Sequence, residues 1–590
     1  MCGICGEIFF NDQPVVEQSI EVMNKAMSKR GPDHEDTYHG IWTAFGHRRL
    51  KIIDLSEESN QPFVDAALGL VIVFNGAIYN YKELQIELKE KGYKFRSTGD
   101  TEVILKAYHA WGERCVEKFN GMFAFVIYDQ NSNQIFMARD RLGIKPLYFH
   151  KSSESLLFAS SLPALLQTGN IEKKMSKQAL HYYMTFHAVV PAPHTIIKDI
   201  HKLPPGTTMV VTKDGNISQK RYWELDFSRD AEQEQYSFDD WKGYLSDSLM
   251  AAVKRRLVAD VPVGVLLSGG LDSSLIVGLL AEAGQKDLKT FSIGFESVGD
   301  EKGDEFMYSD IIARHYATDH HKIKVDSKQV LPAMPACVQA MSEPMVSHDC
   351  IGFYLLSQEV AKHVKVVQSG QGADEVFGGY HWYPPMMESS DAVNDYRNAF
   401  CDRSHSEFLE IVHEKYRDKD FSSQFIESQF STPGAKHPAD KALRMDTTIM
   451  LVDDPVKRVD NMTMAWSLEA RVPFLDHELV ELAAKIPAEY KIGQGGKHIL
   501  KEAARSIIPS EVIDRPKGYF PVPALKYIQG KYLDFVTGVV KSDVCQTRGI
   551  IRNEYIDMLL ESPKDHITPL RGSKLWQVAL LEFWMQQNGI

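Results

Sequence analysis

Cys2, directly after Met1, is the first residue whose position could do chemistry. If Met1 is removed, which a small second residue permits, Cys2 carries a thiol and a free α-amine together. That amine has a reference pKa of about 7.7–8.0, so part of it is neutral near pH 7 and can accept the thiol proton. One residue then supplies nucleophile and base. Gly3 leaves room for a substrate against the backbone. The plain alternative is an ordinary cysteine beside the start codon. A redox or zinc pair Cys2-x-x-Cys5 lacks a second pair at metal-ligand spacing.

Other residues offer what such a nucleophile needs. His47-Arg48-Arg49-Leu50 carries guanidinium groups, and an arginine suits bidentate capture of a carboxylate. Asn75-Gly76 offers a side-chain amide and a close backbone N–H, the parts of an oxyanion hole. Ser97-Thr98-Gly99-Asp100-Thr101-Glu102 offers carboxylates for an α-ammonium. Singly, these also read as a surface arginine, a hairpin turn, and a helix N-cap at Thr98 or Asp100. Together they describe a hydrolase of amino-acid amides.

A second set lies at Val265-Leu266-Leu267-Ser268-Gly269-Gly270-Leu271-Asp272-Ser273-Ser274. An apolar strand feeds a Gly-containing turn, and a helix begins whose free N–H groups and dipole suit phosphate. Gly269 and Gly270 let the backbone approach an anion, Ser268 and Ser273 add hydroxyl donors, and Asp272 can hold Mg²⁺. The alternative is an ordinary strand–turn–helix with a serine cap. The loop is not G-x-x-x-x-G-K-[ST], so P-loop phosphoryl transfer is not indicated. Ser369-Gly370-Gln371-Gly372-Ala373-Asp374-Glu375 follows another apolar run, and Asp374 is a second Mg²⁺ ligand candidate facing Asp272. Gly496-Lys497-His498 offers a lysine, which taken alone reads as a solvated side chain on a helix.

The ordered motifs Met1-Cys2-Gly3-Ile4, Arg30-Gly31-Pro32-Asp33, His47-Arg48-Arg49-Leu50, Asn75-Gly76-Ala77-Ile78-Tyr79-Asn80, Gly99-Asp100-Thr101-Glu102 and Ala138-Arg139-Asp140-Arg141-Leu142-Gly143 resemble the glutaminase domain of class II glutamine amidotransferases. With the Ser268–Ser274 loop, Arg471-Val472-Pro473-Phe474-Leu475-Asp476 and Lys497, nearly the whole chain resembles the asparagine synthetase family. The resemblance implies Cys2 as nucleophile, Asn75 and Gly76 as oxyanion donors, and Arg49, Ile53 and Asp100 around glutamine. It implies Leu267, Ser268, Gly269, Gly270, Asp272, Ser273, Ile293, Ser369 and Gly370 around ATP, with Lys497 catalytic and Mg²⁺ on Asp272 and Asp374. The implied reaction releases ammonia from glutamine, activates a carboxylate as an acyl-adenylate, and joins the two with loss of AMP. The resemblance admits a homodimer, although the residues themselves give no oligomeric state.

Two positions depart from that pattern. Ala77 stands where the family has Glu, and Gln371 stands where asparagine synthetases have Glu. A neutral Gln cannot act as a base. Together with Glu343–Asp349, Gly379–Pro385 and Arg515–Pro523, these features are similar to a bacterial branch, the N-acetylglutaminylglutamine amidotransferases. His348, Trp382 and Tyr383 are then candidate acceptor-pocket residues, with a core role as the alternative. An aspartate-using asparagine synthetase and a catalytically inactive scaffold are the competing readings.

These groups need two kinds of scaffold. Up to about residue 212 the sequence reads as β-rich: Gly69–Phe74 ends at an Asn-Gly turn signal, Met122–Tyr128 and Gln134–Ala138 form a hairpin signature, Tyr81–Lys91 has helical periodicity, and Thr207–Thr212 is a last strand. The expectation is an α+β sandwich, which the resemblance implies is of the Ntn-hydrolase type. From about Phe238 helices alternate with apolar runs at Val261–Leu267, Thr290–Phe295, Lys322–Val325 and Val364–Gln368, which predicts a parallel sheet in an α/β domain. The family resemblance implies that this domain is of the adenine-nucleotide alpha hydrolase type. The remainder to Ile590 is mostly helical. The expected division is 1–225 for the glutaminase and 226–590 for the synthetase, joined by the polar connector Ser228–Gln235.

Composition agrees with two domains. At 590 residues, 44% hydrophobic and 25% charged, the chain is too long for one core and too ordinary for disorder. A net charge of −13 disfavours wrapping duplex nucleic acid or coating an anionic membrane. Seven cysteines form no disulfide framework, no secretory signal opens the chain, and Val261–Leu280 is broken by Pro262 and Asp272. The expectation is a cytoplasmic enzyme acting on small molecules.

Overall fold

The computed structural model describes residues 2–10, 17–296, 303–516, 518 and 528–590. Two antiparallel six-stranded sheets form the first half. One runs Ile200–Lys202, Tyr148–Lys151, Ser155–Ala159, Gly3–Phe9, Thr43–Arg49, His34–His39. The other runs Ile217–Arg221, Thr207–Thr212, Gln134–Arg139, Gly121–Asp129, Leu70–Ile78, Phe63–Asp65. The pleat sends alternate side chains to opposite faces. Val71 and Val73 meet Ile4, Ile8 and Phe45 between the sheets, while Leu70, Ile72 and Phe74 face helices Tyr81–Glu90 and Asp100–Trp111. Helix Glu17–Ala26 covers the other sheet through Ile20 and Met23. The expected sandwich is therefore a four-layer α/β/β/α arrangement. Each large apolar side chain buried in it is worth about 1.5–3 kcal/mol.

The Asn75-Gly76 pair does not turn the chain. The strand continues to Ile78, with Asn75 opposite Ala124 and Gly76 opposite Phe123. A side chain at 76 would place its Cβ 2.1 Å from the Met122 carbonyl oxygen, so this glycine marks close strand approach. Thr207–Thr212 is also not the last strand, since Ile217–Arg221 pairs beside it.

Ser237 starts the second half with a reciprocal cap: its Oγ accepts from Asp240 N and its own N–H donates to the Asp240 carboxylate. Helix Phe238–Arg255 follows. The five-stranded parallel sheet is ordered Asp319–Val325, Lys289–Phe295, Val263–Leu266, Val366–Gln368, Glu469–Arg471. The first strand in sequence, Val263–Leu266, lies between neighbours whose connections run in opposite directions. Such a switch point opens a crevice at the carboxyl ends of the strands. The fifth strand, Glu469–Arg471, lies in a region read from sequence only as helical. No helix among the described residues is long and apolar enough to cross a membrane.

Buried ion pairs join the two halves. Arg30 pairs with Asp460 at 2.9 Å, and Lys202 reaches Asp453 at 2.6 Å and Glu343 at 3.1 Å. The Glu343 carboxylate therefore serves this junction rather than an acceptor pocket. Lys517 and Tyr519–Pro523 of the Arg515–Pro523 segment lie outside the described residues, and Arg515 pairs with Glu305 at 2.9 Å.

Candidate active site

Cys2 enters the strand Gly3–Phe9 at the floor of a small pocket of about 30 Å³. Its backbone nitrogen donates to Asn75 Oδ1 at 3.0 Å, and Arg30 Nε donates to its carbonyl at 3.2 Å. With Oδ1 taken, Asn75 Nδ2 is buried and has no hydrogen-bond partner among the described residues. A buried N–H of this kind costs free energy unless a ligand meets it. Gly76 lines the same pocket. Burial pushes the Cys2 thiol above its ordinary range, so the nucleophile needs a base to form thiolate.

Arg49, Ile53 and Asp100 also line this pocket. The Arg49 guanidinium is braced by the carbonyls of Ser56 and Asp54 and by Asn60 Oδ1. Asp54, which helps hold that loop, is kept well below the usual carboxylate range because donors from Ser56, Ser59 and Thr98 outweigh its burial. Asp100 is the first residue of its helix, after Gly99 at the N-cap. Its carboxylate accepts the Ile78 N–H at 2.9 Å, and burial pushes it up to about 6. Cys5 belongs elsewhere: its buried thiol faces Asn24 Oδ1 at 3.4 Å and Gly46 O, so the Cys-x-x-Cys pair is no metal or redox site.

Two pocket residues escaped the sequence reading. Glu469 and Arg471, from the fifth parallel strand, close the Cys2 pocket from the other half of the molecule. Arg471 Nε donates to Glu469 Oε1 at 2.6 Å, while Arg471 Nη2 is buried without a partner among the described residues. Burial works to raise the Glu469 carboxyl, but nearby positive charges, Arg471 and Lys145 among them, hold it at about 2. Ala77 lines the same pocket, so the position where the family carries Glu faces this ion pair.

The second cavity, about 190 Å³, opens at the switch point of the parallel sheet. Leu267, Ser268, Asp272, Ser273, Ile293, Ser369 and Gly370 all line it, from the carboxyl ends of three strands. Gly269 and Gly270 do not line it; Gly270 is the N-cap of helix Leu271–Glu282, and Gly269 forms the turn before it. The alternative of an ordinary serine-capped helix does not hold, since the N-cap is Gly270. Asp374 lies on the facing wall.

Lys497 Nζ bridges the two carboxylates, 2.7 Å from Asp272 Oδ2 and 2.9 Å from Asp374 Oδ1. Burial disfavours its ammonium, yet the two carboxylates hold its pKa above the ordinary lysine value. Gly379 permits the approach: a Cβ there would sit 2.0 Å from Asp374 Oδ1 and 2.4 Å from Lys497 Cε. Two converging carboxylates are the hard oxygen donors that suit Mg²⁺.

Further acids line this cavity that the sequence reading left unassigned. Glu375 accepts from Tyr380 OH at 2.7 Å, and burial together with Asp374 pushes it up to about 7. Burial pushes Asp349 up to about 6. Gln371 lines the wall beside them. Trp382 and Tyr383 do not face the cavity: Trp382 Nε1 and Tyr383 OH both donate to buried Asp446, at 3.0 and 2.6 Å, and hold the helical core together. His348 is likewise absent from the lining, which takes its neighbour Asp349 instead.

Comparison with known proteins agrees with this two-cavity plan. Residues 1–223 match a glutamine amidotransferase domain and residues 244–586 match asparagine synthase. The glutamine-hydrolysing asparagine synthetase 1 of Bacillus subtilis is 32% identical, over 100% of this chain and 97% of its own. The amidase chry2 of Gibberella zeae is 26% identical over 89% of each chain. The glutamine-hydrolysing asparagine synthetase B of Escherichia coli is 28% identical over 88% of this chain and 82% of its own. The chain belongs to the asparagine synthase family, as one of its glutamine-dependent amidotransferases.

Proposed function

We propose that residues 1–225 hydrolyse glutamine and that residues 226–590 use the ammonia to amidate a carboxylate activated by ATP. Cys2 attacks the glutamine amide, and the α-amine freed by loss of Met1 takes the thiol proton. Asn75 Nδ2 and the Gly76 N–H stabilise the oxyanion, while Arg49, Asp100 and Ile53 hold the amino-acid end. The observation that carries this reading is the buried Asn75 amide beside Cys2, which has no partner among the described residues.

In the second cavity Leu267, Ser268, Asp272, Ser273, Ile293, Ser369 and Gly370 surround ATP, with Gly269 and Gly270 shaping the turn behind Ser268. Asp272 and Asp374 would hold Mg²⁺, which would supply neutralisation of pyrophosphate charge, and Lys497 would meet the reacting phosphate. The carboxylate attacks the α-phosphate, pyrophosphate leaves, and ammonia displaces AMP from the acyl-adenylate. The protein's part is orientation and charge.

The proposed acceptor is N-acetylglutaminylglutamine, giving an osmoprotectant amide. An acetylated amine carries no charge, and neutral Gln371 in the cavity wall suits such a substrate better than Glu would. A second reading, aspartate as acceptor, is favoured by Glu375 and Asp349, which offer carboxylates to an α-ammonium, and by the names of the relatives. A pyrophosphate-release assay with ATP, ammonia and a panel of acids decides between them. Turnover with acetyl-Gln-Gln and none with aspartate supports the first reading, and the reverse supports the second. No pyrophosphate with any acid would overturn the ligase reading.

A further inference from the structure

Far along the chain from both active-site loops, His181, His405 and Asp420 converge. His181 lies in helix Lys177–Thr185, from the first half of the chain. His405 opens helix His405–Ile411, and Asp420 is the N-cap of helix Phe421–Ser431, both from the second half. None of the three lines either cavity described above. His181 Nε2 is 3.1 Å from His405 Nδ1 and 3.8 Å from Asp420 Oδ1. One ligand atom from each residue falls within 4.8 Å of the others, the one such histidine–carboxylate triad among the described residues. Zinc at about 2.0–2.1 Å from each ligand in a tetrahedron separates neighbouring ligand atoms by roughly 3.3 Å.

The surroundings prepare His181 as a ligand. Thr185 Oγ donates to the His181 carbonyl at 2.7 Å, so its hydroxyl proton is committed. Ser422 Oγ lies 2.7 Å from Thr185 Oγ and 3.2 Å from His181 Nδ1. In the consistent hydrogen-bond chain Ser422 donates to Thr185 and His181 Nδ1–H donates to Ser422. Nε2 is then an acceptor that faces His405 Nδ1 at 3.1 Å and Asp420 Oδ1 at 3.8 Å. A metal-ligating imidazole carries this kind of support on its other nitrogen. Phe408 packs on the ring at 4.6 Å and fixes its orientation. Asp420 Oδ1 also accepts the Ser423 N–H at 3.0 Å, a cap that leaves other carboxylate lone pairs for a metal.

We propose that His181, His405 and Asp420 bind one zinc ion, with water as fourth ligand, and that this ion staples helix Lys177–Thr185 to the helical part of the synthetase half. His405 and Asp420 are only partly buried, which gives the ion a route in.

The full-length chain, stripped with a chelator and dialysed, tests this by zinc titration against a chromophoric competitor, with Co²⁺ as spectroscopic substitute. His405→Ala and Asp420→Ser are the variants; serine keeps the helix cap, and buried His181 is left in place. One zinc per chain, a tetrahedral Co²⁺ spectrum, a zinc-dependent rise in melting temperature, and affinity lowered at least about tenfold in each variant are expected. Sub-stoichiometric zinc in the parent chain, or undiminished affinity and an unchanged Co²⁺ spectrum in His405→Ala, would overturn it.

Discussion

The Cys2 backbone nitrogen donates to Asn75 Oδ1 across 3.0 Å, and this single bond leaves the Asn75 amide nitrogen buried, with no partner among the described residues. One side chain thereby orients the amine that serves as base and presents a donor to the oxyanion. Asn75→Ala is expected to lower glutaminase kcat by about 10²–10³. Ammonia-dependent pyrophosphate release should stay at the parental rate. Steady-state assays with each nitrogen donor read both quantities.

Lys497 holds Asp272 and Asp374 at 2.7 and 2.9 Å. Its replacement by Ala removes the side-chain cation that bridges the two carboxylates and its charge on the reacting phosphate. Pyrophosphate release should fall by about 10²–10³ with either nitrogen donor. Glutamine hydrolysis measured without ATP should be unaffected, because Lys497 lies outside the Cys2 pocket.

Lys202 links the halves by donating to Asp453 and Glu343 in a buried setting. Removing one partner from a buried ion pair strands the other charge. Lys457 also reaches Glu343 and Asp453, at 3.4 and 3.8 Å, and keeps part of the pairing, so Lys202→Ala is expected to destabilise the chain by at most about 3–5 kcal/mol in urea unfolding. Lys51→Ala, which removes an ion pair to exposed Glu57, should cost less than about 1 kcal/mol.

Much of this architecture was legible in the residues. The hairpin Met122–Ala138, helix Tyr81–Lys91 and the strand–helix alternation after Phe238 follow from periodicity, because each element has one apolar face or a fully buried run. Asn75-Gly76 misled, since the same dipeptide that favours a tight turn here sits inside a strand pressed against Met122. Glu469 and Arg471 were invisible as pocket residues. A three-residue strand between helices carries little pattern, and its approach to Cys2 is set by contacts between residues hundreds apart. Trp382 and Tyr383 were candidates by type, but only coordinates reveal that Asp446 consumes their donors.

Glu375 is buried, and its folded pKa of about 7 exceeds the ordinary 4.5 of the unfolded chain. Between those values the folded state binds the extra proton, so this group's contribution falls as pH rises from 4.5 through 7. Glu375→Gln removes that dependence. The variant should gain melting temperature relative to the parent at pH 8 and show a smaller or opposite difference at pH 5. A difference that does not change with pH would assign Glu375 an ordinary pKa.

The central claim is that one chain carries two separable chemistries joined by ammonia, and Cys2→Ala tests it most directly. Amide formation and pyrophosphate release are measured with the accepted acid, first with glutamine and then with ammonium. Loss of the glutamine-dependent reaction with retention of the ammonia-dependent one is the predicted result. Retained glutamine use, or loss of both reactions in a folded protein, would contradict it.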